Sequence, residues 1–230
     1  MHLIPANRLI PQWVPRACHW SHRLVLEHDN DPSIFLQPPG ARASADIPAH
    51  IWQRIEALLH GQPLDDLKLW TICIRLAFRD VSGYAQGVEP FVRKFAADTG
   101  RTIEFLESAA DFSMLLDAVD SSVILSTMPP MLEDDSPRRN LKLINDMYEA
   151  WYENDVATFD QVYLSTALMK IAELRAAMID RRNENWVSKI ESLLPSPQNT
   201  LIIVGAGHLA GDQGLLSLLG QRGIGSIAQS

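Results

Sequence analysis

The sequence predicts an α/β protein: a central sheet flanked by helices, with a largely helical insertion over about residues 138–194. Three observations predict it. Short apolar runs at 23–27, 102–107 and 200–204 have the length and composition of strands. The stretches between them carry apolar residues at helical spacing. Of the 230 residues, 47% are hydrophobic and 21% charged, an ordinary globular composition. A chain of this length hides roughly 70% of its unfolded surface, enough for a core without staples.

The elements follow in order. Pro5, Pro11 and Pro15 make the first 22 residues read as irregular. Arg23-Leu24-Val25-Leu26-Glu27 is a strand ending in a carboxylate. Residues 30–47, with Pro32, Pro38, Pro39 and Gly40, are a loop. Pro48 opens a helix with Ile51, Ile55, Leu58 and Leu59 on one face and Gly61 as its cap. The apolar run 69–78 is read as helix. Val88, Phe91, Val92 and Phe95 form a further helical stripe closed by Gly100. Thr102 to Glu107 alternates as a strand does, and Ser108 is placed to cap the helix of Met114, Leu115 and Leu116. Pro129, Pro130 and Pro137 bracket a loop around the solvated triplet Glu133-Asp134-Asp135. Residues 138–194 are helical with a break near Asn154-Asp155, and Pro195 and Pro197 end them. Thr200 to Val204 is the clearest strand. It runs into Gly205-Ala206-Gly207-His208, a helix with Leu215, Leu216, Leu218 and Leu219, and a weak last strand at 224–228.

Charge and cysteines exclude several classes. The net charge is −8, which argues against nucleic acid and against anionic membranes as partners. No apolar run reaches the ~18 residues of a transmembrane helix. The start, Met1-His2-Leu3-Ile4-Pro5, lacks the basic and apolar stretches of a signal peptide, so the expected compartment is the cytoplasm, or outside it if the true start lies upstream. Two cysteines, Cys18 and Cys73, make neither a disulfide framework nor a CxxC site, and Cys73 is expected in the core.

The chemistry is expected at strand ends. Glu27, Glu107 and, after a glycine turn, His208 each follow a strand. Carboxyl ends of strands in α/β sheets face one crevice, so these three can converge. Two carboxylates and an imidazole suit a divalent metal that activates water. The glycines of the 205–211 turn project His208 near a helix N-terminus, whose dipole favours a neutral ring. Strand–GxGxxxG–helix also has the outline of a dinucleotide loop, but only 19 residues follow Gly211, too few for the rest of that unit. His19, His22, His28, His50 and His60 have no metal-site spacing and are expected at the surface.

These residues resemble the TraB/GumN family, which includes the Tiki proteins. Val204-Gly205-Ala206-Gly207-His208-Leu209-Ala210-Gly211 with Gly214-Leu215-Leu216 looks like its closing GxxH signature. Leu24 to Glu27 is similar to the strand-ending glutamate, Thr102 to Ser108 to the "GLET" segment, and Arg181-Arg182-Asn183-Glu184-Asn185-Trp186 to the "RNxxW" helix. Only His2-Leu3-Ile4-Pro5 matches the opening GxxH: its glycine and the strand before it are missing. The resemblance implies one domain over 1–230 lacking its first strand, with the fold of erythromycin esterases and ChaN-like proteins. It implies a metal-dependent hydrolase of protease type, acting on a peptide or protein. His2, His208 and Glu27 would hold a divalent transition metal such as Mn, Co or Zn. Glu27 and Glu107 would be the catalytic acids, and Arg182 would steady an oxyanion or tie the long helix to the sheet. Asn183 and Trp186 are expected to be packing residues. The missing opening motif supports an alternative: a truncated, non-catalytic member that binds a peptide or partner.

Overall fold

A computed structural model describes residues 3–5, 8–29, 31–60, 62–79 and 84–225. His2 and Gly61 lie outside the described residues, as does most of the expected last strand; Ile224 and Gly225 are not in a strand.

The sheet that positions the site has three parallel strands in the order β4-β2-β5. They are β2 (Arg23–Leu26), β4 (Ile103–Phe105) and β5 (Thr200–Ile202). The register sets Leu24 beside Ile103 and beside Leu201, so all three strands end at one edge. A separate antiparallel pair joins β1 (Leu3–Pro5) to β3 (Tyr84–Gln86).

The pleat of β2 sorts its side chains. Leu24 and Leu26 pack with Val14 and Cys18 of α1 (Trp13–Trp20) and Val92 and Phe95 beyond β3. Val25 faces the other way, onto Trp186, Val187, Ile190 and Leu215. One sheet is thus covered by helices on both faces, as parallel sheets require. A second core is purely helical. It gathers Ile34, Ile55, Ile72, Leu76, Leu116, Met128 and Leu174 from the 3-10 turn Pro32–Phe35, α2 (Ala43–Asp46), α3 (Ala49–Leu58), α4 (Leu69–Ala77) and helices after β4. α5 (Val88–Thr99), before β4, packs on the sheet instead; the first helices after β4 are α6 (Ala109–Asp117), α7 (Ser121–Ser126) and α8 (Met128–Met131).

Local signals explain most boundaries. Gly100 ends α5 at φ 65°, a left-handed conformation that favours glycine. Ser108 caps α6 reciprocally with Asp111: each side chain accepts from the other residue's backbone N–H. The helical insertion is α9 (Ser136–Tyr152), α10 (Val156–Leu164), α11 (Ala167–Lys170), α12 (Ala172–Arg175) and α13 (Arg181–Leu193). Its break falls at Asn154, φ 59°. The chain closes with α14 (Leu215–Gln221). No helix among the described residues is long and apolar enough to cross a membrane.

Two proline readings are corrected. The segment before residue 22 is not irregular throughout, because Pro15 sits in the first turn of α1, where its missing N–H has no intrahelical acceptor. Likewise Pro129, Pro130 and Pro137 sit in the first turns of α8 and α9 rather than bracketing one long loop. Glu133, Asp134 and Asp135 occupy the short turn between these helices, exposed as expected, and pair with Arg139 and Arg54.

A buried polar cluster at the carboxyl ends of the sheet

Glu27, Glu107, Arg182 and His208, far apart in sequence, meet in one buried cluster. Glu27 follows β2 directly and Glu107 lies two residues past β4; the Glu107 N–H donates to the Glu27 carbonyl at 2.9 Å, which continues the ladder to the site. The parallel register therefore sets both carboxylates at one edge. His208 arrives from β5 by a tight turn, in the 3-10 piece Ala206–Leu209.

Arg182 comes from the opposite layer. Ala176–Asp180 forms a π-helical turn between α12 and α13, a local widening that often accompanies functional sites. Just past it, Arg182, Asn183 and Trp186 share the inward face of α13 at i, i+1 and i+4. Arg182 is 4% exposed, and its guanidinium lies 4.7 Å from the Phe112 ring and 4.6 Å from the Trp186 ring. Its Nε donates to Glu107 Oε1 at 2.7 Å. Nη2 donates to Glu27 Oε2 at 2.8 Å and lies 2.6 Å from Glu107 Oε1. Nη1 donates to His208 Nε2 at 3.0 Å and to the Met178 carbonyl at 3.1 Å. A planar fork suits this multiple engagement; a lysine could not reproduce it.

The imidazole is set by its two neighbours. The Asn183 amide NH2 donates to the carbonyls of His208 (3.2 Å) and Gln213 (2.7 Å), so its Oδ1 is the acceptor that faces His208 Nδ1 at 2.7 Å. Nδ1 thus carries the proton, and Nε2 accepts from Arg182. This corrects the helix-dipole expectation: α14 begins only at Leu215, and Asn183 and Arg182 fix the tautomer instead. The same spacing separates the glycine turn from the dinucleotide loop, in which a helix starts at the turn.

Glu107 also accepts from Trp186 Nε1 at 3.0 Å, and Glu27 Oε1 accepts from the Gly205 N–H. Burial is the largest influence on Glu107 and pushes its carboxyl above the ordinary range. Arg182 and Trp186 pull it down without cancelling that effect, and the charge of Glu27 pushes the same way as burial.

The structure brings Glu27, Glu107 and His208 to one edge, as the strand ends predict, and adds Arg182 between them; His2 lies outside the described residues. Asn183 and Trp186 are buried, as packing residues are, and in addition hydrogen-bond into the cluster, which the sequence analysis did not foresee although their spacing from Arg182 on one helix face is a usable signal. Tyr163 on α10, which no spacing announces, borders the cluster as well. A methyl group placed on Gly207 would collide with the tip of the Tyr163 ring and lie 2.8 Å from its Cε2. Beside the turn, an apolar cavity of about 250 Å³ opens between Trp13, Val14, Trp151, Ile203, Ala206 and Leu209.

A metal does not fit these donors as they stand. Among the described residues, no group of three or more His, Cys, Asp and Glu side chains is placed to hold one. Between Glu27, Glu107 and His208 sits the guanidinium of Arg182, a cation whose N–H groups donate to Glu107 Oε1, Glu27 Oε2 and His208 Nε2, where a metal shared by these groups would have to lie.

A parallel sheet with helices on both faces, carrying a buried carboxylate–guanidinium–imidazole cluster at its carboxyl edge, defines the class. The TraB/PrgY/gumN family model matches residues 10–225, and the chain belongs to that family. No curated protein and no solved structure matches the chain.

Proposed function

We propose that this chain is a hydrolase of peptide or related acyl bonds and that the Glu27–Glu107–Arg182–His208 cluster is its reactive centre. One observation carries the reading: residues from three strand ends and one distant helix converge in a single buried site, with a carboxylate whose proton affinity is raised. Glu107 is the general base. It takes a proton from the water that adds to the carbonyl carbon and returns one to the leaving amine as the carbon–nitrogen bond breaks. Arg182 supplies the fixed positive charge of the site. The apolar cavity beside Ala206 and Leu209 suits an apolar side chain next to the reacting bond.

The metal-dependent form of this reading requires Arg182 to withdraw from between the carboxylates. Bound transition metal per chain, measured on protein purified without chelators and then supplied with Mn, Co or Zn, tests it: metal near one per chain, lost in His208→Ala, supports that form. For the hydrolase itself the test is a pool of acetyl- and amide-capped hexapeptides read by mass spectrometry. Turnover that disappears in Glu107→Gln while the fold is kept supports the reading; turnover retained in Glu107→Gln removes Glu107 from the mechanism.

A second reading is binding of a peptide or partner without turnover. The saturation of the cluster favours it, since each guanidinium nitrogen of Arg182 already has an acceptor inside the protein. Retention of capped peptides with no cleavage would favour it over hydrolysis.

A further inference from the structure

The cluster leaves one hydroxyl at its border. Tyr163 sits near the end of α10, its ring stacked on Phe159 at 5.8 Å between centroids. Its phenol tip lies against the Cα of Gly207, between Ala206, which borders the apolar cavity, and His208, which belongs to the polar cluster. Only glycine permits that approach, because any Cβ at 207 would occupy the place of the ring. Burial, followed by the charge of Glu27, pushes the phenol's pKa well above its ordinary value, with Arg182 opposing; both groups are therefore within electrostatic reach of it. Among the described residues the Tyr163 hydroxyl has no hydrogen-bond partner, whereas the N–H groups of Arg182, Asn183 and Trp186 are engaged with Glu27, Glu107, His208 and backbone carbonyls.

We infer that Tyr163 is a substrate-contacting residue of this site, whose O–H donates a hydrogen bond to the carbonyl oxygen of an acyl group lying over Gly207. The inference rests on the proposed function for the substrate class, and it deepens that reading by naming the donor the buried guanidinium is not free to be. The phenol remains protonated throughout: it transfers no proton and stabilises the oxygen as negative charge develops on it. Gly207 is the positioning residue, acting through the place it leaves for the ring.

The test pairs two variants. Tyr163→Phe keeps the ring and its stacking on Phe159 and removes only the hydroxyl. Gly207→Ala keeps the hydroxyl and displaces it. On the best-cleaved peptide of the capped pool, Tyr163→Phe is expected to lower kcat by about 100-fold with KM little changed, the range for loss of one oxyanion donor. Gly207→Ala should lower kcat similarly, and the double variant should be no worse than the poorer single one, because both act on one hydrogen bond. A purely structural role predicts additive losses and a changed KM, and that result overturns the inference. So does unchanged kcat in Tyr163→Phe, while continued turnover would leave the hydrolase reading standing. If the wild type binds a capped peptide without cleaving it, the hydrolase reading fails by itself. Calorimetry against a thioamide copy of that peptide then decides about Tyr163. Weaker thioamide binding by wild type, equalised in Tyr163→Phe, supports the donor; no difference in wild type overturns it.

Discussion

Replacing Arg182 by methionine should unfold the site from the inside, and by an amount that depends on pH. Methionine preserves most of the aliphatic length and removes every donor. In wild type the guanidinium engages Glu27, Glu107, His208 and the Met178 carbonyl, at 4% exposure. Its loss leaves two buried carboxylates facing each other without a cation. Removing one partner of a buried pair costs about 3–5 kcal/mol, chiefly because the remaining charge stays desolvated. The sign with pH follows from Glu107. Burial already raises its carboxyl and Arg182 opposes that, so without Arg182 its folded pKa lies further above the unfolded value of about 4. Such a group's contribution is present below the unfolded pKa and is lost as pH rises through the folded one. The penalty should therefore be near its full size at pH 7.5 and clearly smaller at pH 5. Urea unfolding of both proteins at the two pH values measures it. A loss below 1 kcal/mol at pH 7.5, or an equal loss at both pH values, refutes the account of Arg182 as the charge holding two buried carboxylates. Combining Arg182→Met with Glu107→Gln should cost less than the sum of the singles, because the second change removes one stranded charge.

Asn183→Ala should destabilise the protein by about 1–3 kcal/mol in the same urea assay, since it strands His208 Nδ1 and the Gln213 carbonyl in the interior. Ser108→Ala should cost about 1 kcal/mol by removing the acceptor for the Asp111 N–H at the start of α6, and amide exchange should quicken in that first turn. If Glu107 is the base, kcat/KM should rise with pH through a carboxyl pKa above the ordinary range, because burial holds the proton on and the base form exists only above that pKa; a flat profile between pH 4 and 8 would speak against it. Gly100→Ala, at a left-handed residue with open space around it, should lower stability by about 1 kcal/mol from backbone conformation alone.

Much of the site was legible because strand ends are written locally. β2, β4 and β5 each announce themselves as a short apolar run, and parallel pairing then has to bring Glu27, Glu107 and the turn before His208 to one edge. Helix ends were legible where a side chain or a glycine carries the signal, as at Ser108, Gly100 and the break at Asn154. The prolines misled because their effect depends on position: Pro15, Pro129 and Pro137 open helices instead of breaking them, and only the placement of the first turn decides which.

By itself the sequence determined the alternation of strand and helix and which acidic and imidazole groups stand at strand ends. These follow from local pattern, since side-chain period and capping act within a few residues. The tertiary structure alone decided what lies between those groups. That Arg182 fills the centre, that Asn183 fixes the histidine tautomer, that Trp186 reaches Glu107 and that Tyr163 leans over Gly207 all depend on packing α10 and α13 against the sheet across 44 to 155 residues of chain. Such contacts have no local signature, because the energy that selects them comes from burying and pairing charges at a site that exists only once the layers have closed.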